Sequence, residues 1–298
     1  MGYVLDAALG AGMVMAEVNE QMPKTYGRNQ LHMDRFDYVV ETSRPLLEYP
    51  SPEISELEMA VARNVNYLID NGSVLSIGIG AIPEAVVRTI DKKRNLGVHS
   101  GMITDAIITP IKEKIITNEQ KNIDKDKTVA ALALGTKRLF QFIDENPKVE
   151  MHPYSYTHDI KTVTQLDNLV SINSAVEVDL TGQINAESID SIQISTIGGQ
   201  ADFVRGAALS KGGKCIIALT STTKNGKISK IIPQFKAGTI VSTPRYDVQY
   251  VVTEYGIAEL CGKTLSQRMS ALISIAHPQF RDELYQASKA SRDVNKGA

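Results

Sequence analysis

The sequence predicts an α/β protein built on a mainly parallel sheet that is flanked by helices. Short apolar runs of strand length recur along the 298 residues, and residues 73–77 are a clear example. A glycine-containing turn at 78–83 and then a helical pattern follow this run, which together make half of a βαβ unit. The same alternation returns after residue 128, so we expect one architecture for most of the chain.

The elements before this turn each carry a local signal. The apolar residues 12–18 predict a buried strand, and residues 45–52 predict a loop because they contain three prolines. A helix is expected from Ser55 to about Ile69, since Leu57, Val61, Val65 and Leu68 form one apolar stripe. Ser55 and Glu58 match the Ser-x-x-Glu capping box at its start.

The next segment continues the βα pattern and then becomes polar. A second helix is expected from Glu84 to about Asp91, and residues 96–99 predict a short strand. Residues 112–127 are rich in lysine and poor in apolar side chains, which predicts a surface excursion and a linker.

The remaining chain is divided into strands and helices by the same criteria. The predicted strands are residues 128–134, 168–172, 174–180, 215–219, 239–242 and 250–253. The predicted helices are residues 137–145, residues 265–275 and a last one that starts at Arg281.

The amino-acid composition limits the classes of protein to which this chain can belong. The net charge of −2 argues against a nucleic-acid partner, and 43% hydrophobic residues are enough for a substantial core. No apolar run reaches the roughly 20 residues of a membrane span, and the N-terminal residues lack a basic secretory n-region. Cys215 and Cys261 are far apart and have no metal-ligand spacing. We therefore expect two reduced thiols and a cytoplasmic location, with no membrane partner.

Two glycine-rich segments are candidates for a ligand site. Residues 78–83 (Gly-Ile-Gly-Ala-Ile-Pro) follow a strand and precede a helix, where backbone N–H groups can bind a phosphate or a developing oxyanion. Residues 197–206 (Ile-Gly-Gly-Gln-Ala-Asp-Phe-Val-Arg-Gly) offer backbone donors at Gly198 and Gly199. A plain βα turn explains the first segment equally well, and Asp202 and Arg205 in the second can form a structural ion pair.

Three polar residues are further candidates, two at expected strand ends and one in a loop. The Asn173 amide can donate to a thioester carbonyl as that carbonyl gains negative charge. Glu254 lies beside a glycine turn, although an acid favoured by a helix dipole is an equal explanation. Lys224 lies in a polar loop that can hold phosphate or pantetheine, or can simply join two strands.

These segments together resemble the acetyl-CoA hydrolase / 4-hydroxybutyrate CoA-transferase family. The similar blocks occur in the family's order over nearly the whole chain, at residues 18–23, 78–83, 170–187, 197–206, 253–258 and 275–281. The resemblance implies an open CoA-transferase-type fold of two similar halves, with coenzyme A between them and no metal. Residues 1–115 would be a remnant of the N-terminal half, and residues 128–298 would be the C-terminal half.

The resemblance also implies roles for the candidate residues. Coenzyme A would contact Gly78, Gly80, Ile82, Gly198, Gly199, Gln200 and Lys224. Asn173, Gly199 and Glu254 would belong to the catalytic site, together with the position of the family's glutamate. In the family this glutamate carboxylate attacks acyl-CoA and gives an anhydride and then a glutamyl-CoA thioester, with ping-pong kinetics.

The chain departs from the family pattern in two places. Where the family has His-Ser/Thr-Glu-Met, this chain has His99, Ser100, Gly101 and Met102, and glycine has no nucleophile. Asp105 is nearby but is not a natural substitute, because an acid is usual at that position in the family. The chain also begins inside the family's N-terminal half, so we expect the first βαβ units to be missing and a partner chain to supply them, or the fold to be incomplete.

The function expected from the resemblance is CoA transfer between an acyl-CoA and a short carboxylic acid. The alternatives are a catalytically impaired acyl-CoA-binding paralogue that lacks the glutamate at Gly101, or a slow acyl-CoA hydrolase. The expected partners are therefore small molecules, and the family suggests a homodimer or a larger homo-oligomer.

Overall fold

An eight-stranded sheet organises the chain in the computed structural model. The structure describes residues 2–190, 192–223 and 226–294, and for residues 291–294 it describes the backbone alone. The strands are β1 (Met15–Asn19), β2 (Tyr38–Thr42), β3 (Val74–Ile77), β4 (Gly97–Ile103), β5 (Thr128–Ala133), β6 (Val149–Met151), β7 (Leu169–Ser174), β8 (Glu177–Asp179), β9 (Ile184–Asn185), β10 (Ser188–Ile189), β11 (Ile192–Gln193), β12 (Lys214–Ala218), β13 (Ile231–Ile232), β14 (Tyr250–Thr253) and β15 (Gly256–Glu259). The order in the main sheet is β15-β14-β12-β7-β3-β4-β5-β6. Each neighbouring pair in it is parallel except β14 and β15.

Helices cover this sheet on both faces. They are α1 (Val4–Gly10), α2 (Glu56–Asn66), α3 (Ala81–Arg88), α4 (Ile108–Lys112), α5 (Lys137–Ile143), α6 (Tyr154–Thr157), α7 (Ile160–Val163), α8 (Gln200–Leu209), α9 (Leu265–Ser274) and α10 (Arg281–Val294). Within the three described ranges, no helix is both long enough and apolar enough to cross a bilayer.

The parallel strands are buried on both faces because α-helices pack on each side. Alternate residues of β12 enter different cores: Cys215 and Ile217 join one cluster, whereas Ile216 and Ala218 join the other. This is the period-two alternation of side chains across a strand. The predicted α/β class with a mainly parallel sheet flanked by helices is therefore confirmed.

Local signals in the sequence account for several element boundaries. The capping box at α2 is present, since Ser55 Oγ accepts from the Glu58 N–H and the Glu58 carboxylate accepts from the Ser55 N–H at 2.7 Å. The helix predicted from Glu84 begins three residues earlier, at Ala81. Gly80 precedes it with φ +115°, and Pro83 is tolerated in the first turn because no intrahelical N–H bond is needed there.

Three expectations about loops and strands are wrong. The strand predicted as buried at residues 12–18 lies at Met15–Asn19 and is largely exposed, with Met15 74% and Val18 45% exposed. Residues 239–242 form no strand; Thr243 beside them makes an isolated antiparallel bridge to Ile184, and Ser242 N donates to Ile184 O at 2.8 Å. The predicted surface excursion at 112–127 includes the buried residues Asn118 and Lys121. Lys121 Nζ donates to the carbonyls of Val98 and Lys127, which offsets the cost of burying its charged end.

The two predicted halves share one sheet. Strands β3 and β4 come from residues 1–115, yet β3 pairs with β7 and β4 pairs with β5. Strands β1 and β2 form a separate parallel pair. The division into residues 1–115 and 128–298 remains a prediction about the family's two halves.

Replacement of Ile172 should measure how much the central strand stabilises the fold. Ile172 on β7 is 0% exposed, so we expect Ile172→Ala to lower the free energy of unfolding by about 2–5 kcal/mol through lost burial and a residual cavity. Urea denaturation measures the change. Ile228→Ala is the control, because Ile228 is 63% exposed and its loss should change the free energy by less than about 0.5 kcal/mol. Equal effects of the two substitutions would contradict this packing.

Candidate functional site

The carboxyl ends of the parallel strands place several predicted residues at one edge of the main sheet. Gly78 directly follows β3, Asn173 lies near the end of β7, and Gly101 lies near the end of β4. These three strands are neighbours in the order β7-β3-β4. Ligands of open α/β sheets commonly bind outside this edge, so it is the candidate active site.

Gly78 and Asn173 are in contact across two adjacent strands, as the sequence predicted for a shared site. A Cβ added to Gly78 would lie 3.2 Å from the carbonyl oxygen of Ile172 and 3.7 Å from Oδ1 of Asn173. The Asn173 amide donates one hydrogen to Ser171 Oγ at 2.8 Å, and its second N–H has no partner among the residues that the structure describes.

The space beside Gly101 is filled by the imidazole of His158. A Cβ added to Gly101 would lie 2.9 Å from both Cε1 and Nε2 of His158. A Cβ added to Gly199 would lie 2.3 Å from the same Nε2. Real Cβ atoms do not approach ring atoms so closely, so the position of His158 depends on glycine at both sites.

Three neighbours hold the His158 ring in this gap. Its Nδ1 is 2.8 Å from Thr157 Oγ1, and the rings of Tyr154 and Phe203 meet it edge to face at centroid distances of 4.3 Å and 4.8 Å. Burial, with a smaller contribution from His99, lowers the pKa of His158 to about 4. The ring is therefore neutral at pH 7.

A buried polar cluster lies directly behind His158. His99 Nε2 donates to the carbonyl oxygen of Thr157 at 3.1 Å, and its Nδ1 is 3.7 Å from Asp124. The Tyr156 hydroxyl donates to the Asp124 carboxylate at 2.8 Å. Burial lowers the pKa of His99, so this imidazole is uncharged and anchors the backbone that carries His158.

The Asp124 carboxylate stays ionised within this cluster. Burial alone would raise its pKa, but the Tyr156 hydroxyl, which donates to the carboxylate, and the nearby Lys121 charge help to lower the pKa to about 2. Burial lowers the pKa of Lys121 to about 8. Asp124 therefore stabilises the polar layer beneath the site.

The two glycine segments take different positions at the edge. Gly80 is exposed and its φ of +115° favours glycine, whereas Ile82 is buried in the core with 8% exposure. Gly198 has φ +54°, and Gly199 is the N-cap residue of α8, so their N–H groups lie at a helix N-terminus. Gln200 is buried and donates to Thr243 Oγ1 at 3.0 Å. Lys224 lies outside the described residues.

Glu254 belongs to a different part of the edge. Its carboxylate accepts from Ser221 N at 2.9 Å and from Ser221 Oγ at 2.6 Å. It follows β14, which is four strand positions from β4 in the main sheet. The hydrogen bonds of its carboxylate at the site are thus with Ser221.

Two acids near the glycine positions have structural contacts. Asp105 is 8% exposed, and its carboxylate accepts from Thr136 N at 2.7 Å and from Thr136 Oγ1 at 2.8 Å. This agrees with the expectation that Asp105 does not replace the missing glutamate. The sequence left open an ion pair between Asp202 and Arg205, but Arg205 Nε is 3.0 Å from Asp247 Oδ2 instead.

Sequence reasoning missed the role of His158 at this site. Sequence spacing could not indicate this contact, because His158 and Gly101 are far apart along the chain. Only the packing of α6 against β4 brings them into contact. The one usable signal was the aromatic composition of residues 154–158, which is typical of packed rather than exposed chain.

Comparison with known proteins assigns the chain and its fold to a family of CoA-dependent enzymes. The model of the acetyl-CoA hydrolase/transferase C-terminal domain matches residues 135–288, which is more than half of the chain. The chain therefore belongs to the acetyl-CoA hydrolase/transferase family.

Individual relatives support the same assignment. The 4-hydroxybutyrate coenzyme A transferase of Clostridium kluyveri is 48% identical over 95% of this chain and 66% of its own length. The crystal structure of RipA from Yersinia pestis is 35% identical with a TM-score of 0.93, over 98% of this chain and 66% of that chain. The 4-hydroxybutyrate CoA-transferase from Porphyromonas gingivalis is 39% identical with a TM-score of 0.87, over 97% of this chain and 69% of that one. The chain thus spans about two thirds of the length of these relatives.

A double-mutant cycle should detect the steric dependence of His158 on Gly101. We expect Gly101→Ala to lower the free energy of unfolding by about 1–3 kcal/mol, because its Cβ would clash with a ring that Tyr154 and Phe203 hold in place. In the His158→Ala background the same substitution should be nearly neutral, which gives a coupling energy of about 0.5–3 kcal/mol. Urea denaturation of the four proteins measures it.

The control for this cycle is Gly10→Ala, because a Cβ there would meet nothing within 4 Å. Its effect should be the same with and without His158. Additive effects of Gly101→Ala and His158→Ala would show that the two residues are not in contact.

The neutral His158 should also make stability depend on pH. Its pKa is about 4 in the folded chain and 6.5 for an unperturbed histidine, so between these values the unfolded chain binds a proton that the folded chain does not. Stability should therefore fall as the pH falls from 6.5 to 4, and His158→Gln should reduce this fall while His99 retains its own contribution. Urea denaturation at about pH 7 and about pH 4.5 tests this, with the exposed His32→Gln as the unchanged control. An identical pH profile for His158→Gln and the native chain would refute the buried, neutral state.

Proposed function

We propose that this chain moves coenzyme A between an acyl-CoA and a short carboxylic acid. The main observation in support is that Gly78, Asn173 and Gly101 lie at one edge of the sheet. Gly199 packs against the same His158 ring as Gly101. The Clostridium kluyveri and Porphyromonas gingivalis relatives are named as CoA-transferases, which supports CoA transfer. They favour it over the alternatives of an impaired acyl-CoA-binding paralogue or a slow hydrolase.

The roles proposed for individual residues follow from their positions. The free N–H of Asn173 and the backbone N–H of Gly199 would stabilise the thioester oxygen as it gains negative charge. The exposed Gly80 turn would lie against coenzyme A, since it has no side chain to exclude the ligand.

The remaining residues predicted for the site would contact coenzyme A or support its binding loops. Gly78 and Gly198 would contact coenzyme A through their backbones, while Ile82 and Gln200 would support these loops from inside the protein. Glu254 would act away from the acyl group, because it lies four strand positions from β4. No metal is part of the proposed reaction.

The assembly and location are proposed from the family and from composition. A homodimer or larger homo-oligomer remains our expectation, as does a cytoplasmic location with reduced Cys215 and Cys261. The partners would be an acyl-CoA and a short carboxylic acid.

Substitution of Asn173 tests the proposed function. In a thioester-exchange assay with butyryl-CoA and labelled acetate, we expect Asn173→Ala to lower kcat by about 10²–10³-fold through loss of a donor to the developing oxyanion. Asn71→Ala is the matched control, because Asn71 is exposed just before β3, at the opposite edge of the sheet. No exchange above the blank by the native chain would reject the proposed function. Equal rates for native and Asn173→Ala proteins would reject the role of Asn173 alone.

A further inference from the structure

A large cavity lies at the carboxyl edge of the main sheet, one strand beyond Gly101. Its volume is about 850 Å³, and it is bounded by residues of β1, β5, β6 and α5 and by the segments 22–30 and 44–47. Mainly apolar cavities of about 300–1,000 Å³ are typical of small-molecule sites. The residue roles proposed above leave this cavity without a part in the reaction.

The register of the parallel strands places the cavity beside the candidate active site. Leu132 and Ala133 line the cavity and are the last two residues of β5. They pair with Met102 and Ile103 of β4, and Gly101 directly precedes Met102. Because neighbouring parallel strands end at one edge of a sheet, the cavity and the surroundings of Gly101 lie side by side on that edge.

A row of side-chain contacts runs from the cavity wall to the active-site histidine. A Cβ added to Gly2 would lie 3.3 Å from Leu132 Cδ2 and 3.4 Å from the ring of Tyr154. The Tyr154 ring in turn meets the His158 ring edge to face at a centroid distance of 4.3 Å. The packing that holds His158 in place therefore also forms one wall of the cavity.

The inner wall of the cavity is hydrocarbon. It is formed by the partly buried residues Leu132, Ala133 and Phe140 and by the buried residues Ile143 and Met151. These side chains come from two strands and a helix of the main fold, so the wall is formed before any ligand arrives. Transfer of apolar ligand atoms from water onto such a surface is favourable.

The charged residues that line the cavity already have partners. Arg44 donates twice to the Glu17 carboxylate, at 2.7 and 2.8 Å, and Lys24 Nζ is 3.3 Å from Glu145 Oε1. A charged ligand group would gain no unpaired opposite charge from these side chains and would lose its hydration. The lining therefore favours an uncharged hydrocarbon chain.

We propose that this cavity binds the hydrocarbon chain of the acyl donor, and that the protein accepts acyl groups longer than butyryl. A closed apolar cavity of about 150 Å³ is enough to bind benzene, so a volume of about 850 Å³ leaves room for a longer chain. The inference rests on the proposed function, which places the thioester at this edge.

The affinity of coenzyme A thioethers should depend on the length of their alkyl chain. S-butyl-CoA and S-octyl-CoA carry no thioester carbonyl, so calorimetric titration of the full chain measures binding without turnover. We expect Kd to fall by up to about fourfold for each methylene that enters the cavity, and S-octyl-CoA to bind at least about tenfold more tightly than S-butyl-CoA. Equal Kd values for the two thioethers would overturn the proposal.

Substitution of Met22 tests whether the chain binds in this cavity. Met22 lines the cavity and is 61% exposed, so the fold tolerates its replacement. Met22→Gln should weaken S-octyl-CoA binding by about 3–30-fold, because the ligand would bury a polar amide, and should leave the Kd of coenzyme A within about twofold. Met22→Leu should bind like the native chain.

The matched control is Met33→Gln, because Met33 is 59% exposed and does not line the cavity. Its Kd for S-octyl-CoA should equal that of the native chain. Equal losses in Met22→Gln and Met33→Gln would place the alkyl chain elsewhere and overturn the proposal.

Two further readouts separate this inference from the proposed function. If the native chain gave no thioester exchange while S-octyl-CoA still bound more tightly than S-butyl-CoA, the proposed function would fail and the cavity would stand. Exchange without a dependence on chain length would keep the function and overturn the cavity. If no coenzyme A derivative bound, octanoate would be titrated alone: binding that Met22→Gln weakens would support the cavity, and the absence of binding would reject it.

Discussion

The close fit of His158 between Gly101 and Gly199 is the constraint on which this site depends. The ring is held by Thr157, Tyr154 and Phe203, and a Cβ at either glycine would meet Nε2 at less than 3.0 Å. A side chain at position 101 and a ring in this position exclude each other. The loss of the expected glutamate and the presence of His158 are therefore one structural feature, not two.

The parallel sheet supplies the rest of the site through its topology. Because β7, β3 and β4 are adjacent and run in one direction, Asn173, Gly78 and Gly101 reach the same edge. The polar layer of His99, Tyr156 and Asp124 beneath His158 fixes the backbone of α6 rather than contacting a ligand. The edge thus offers hydrogen-bond donors to a thioester.

Sequence reasoning predicted what depends on local pattern. The apolar strands β3, β5, β7, β12 and β14 were predicted because strands buried on both faces leave a nearly continuous apolar signal. Residues 239–242 carry a similar signal but form no strand, because strand pairing depends on the whole sheet and not on the local sequence; beside them Thr243 makes an isolated bridge to Ile184 of β9. Lys121 was predicted to be exposed because local sequence does not reveal its two carbonyl partners. Val98 is distant along the chain, and the carbonyl of Lys127 is brought close by a turn. For the same reason spacing could not place His158 beside Gly101, although it identified Gly78 and Asn173 as neighbours in function.

A crystal structure of the Gly101→Ala variant tests the central claim most directly. The account predicts that the His158 imidazole is displaced from the gap between positions 101 and 199, because the added Cβ would lie 2.9 Å from Nε2. An imidazole that keeps its position, with alanine accommodated at position 101, would contradict the account.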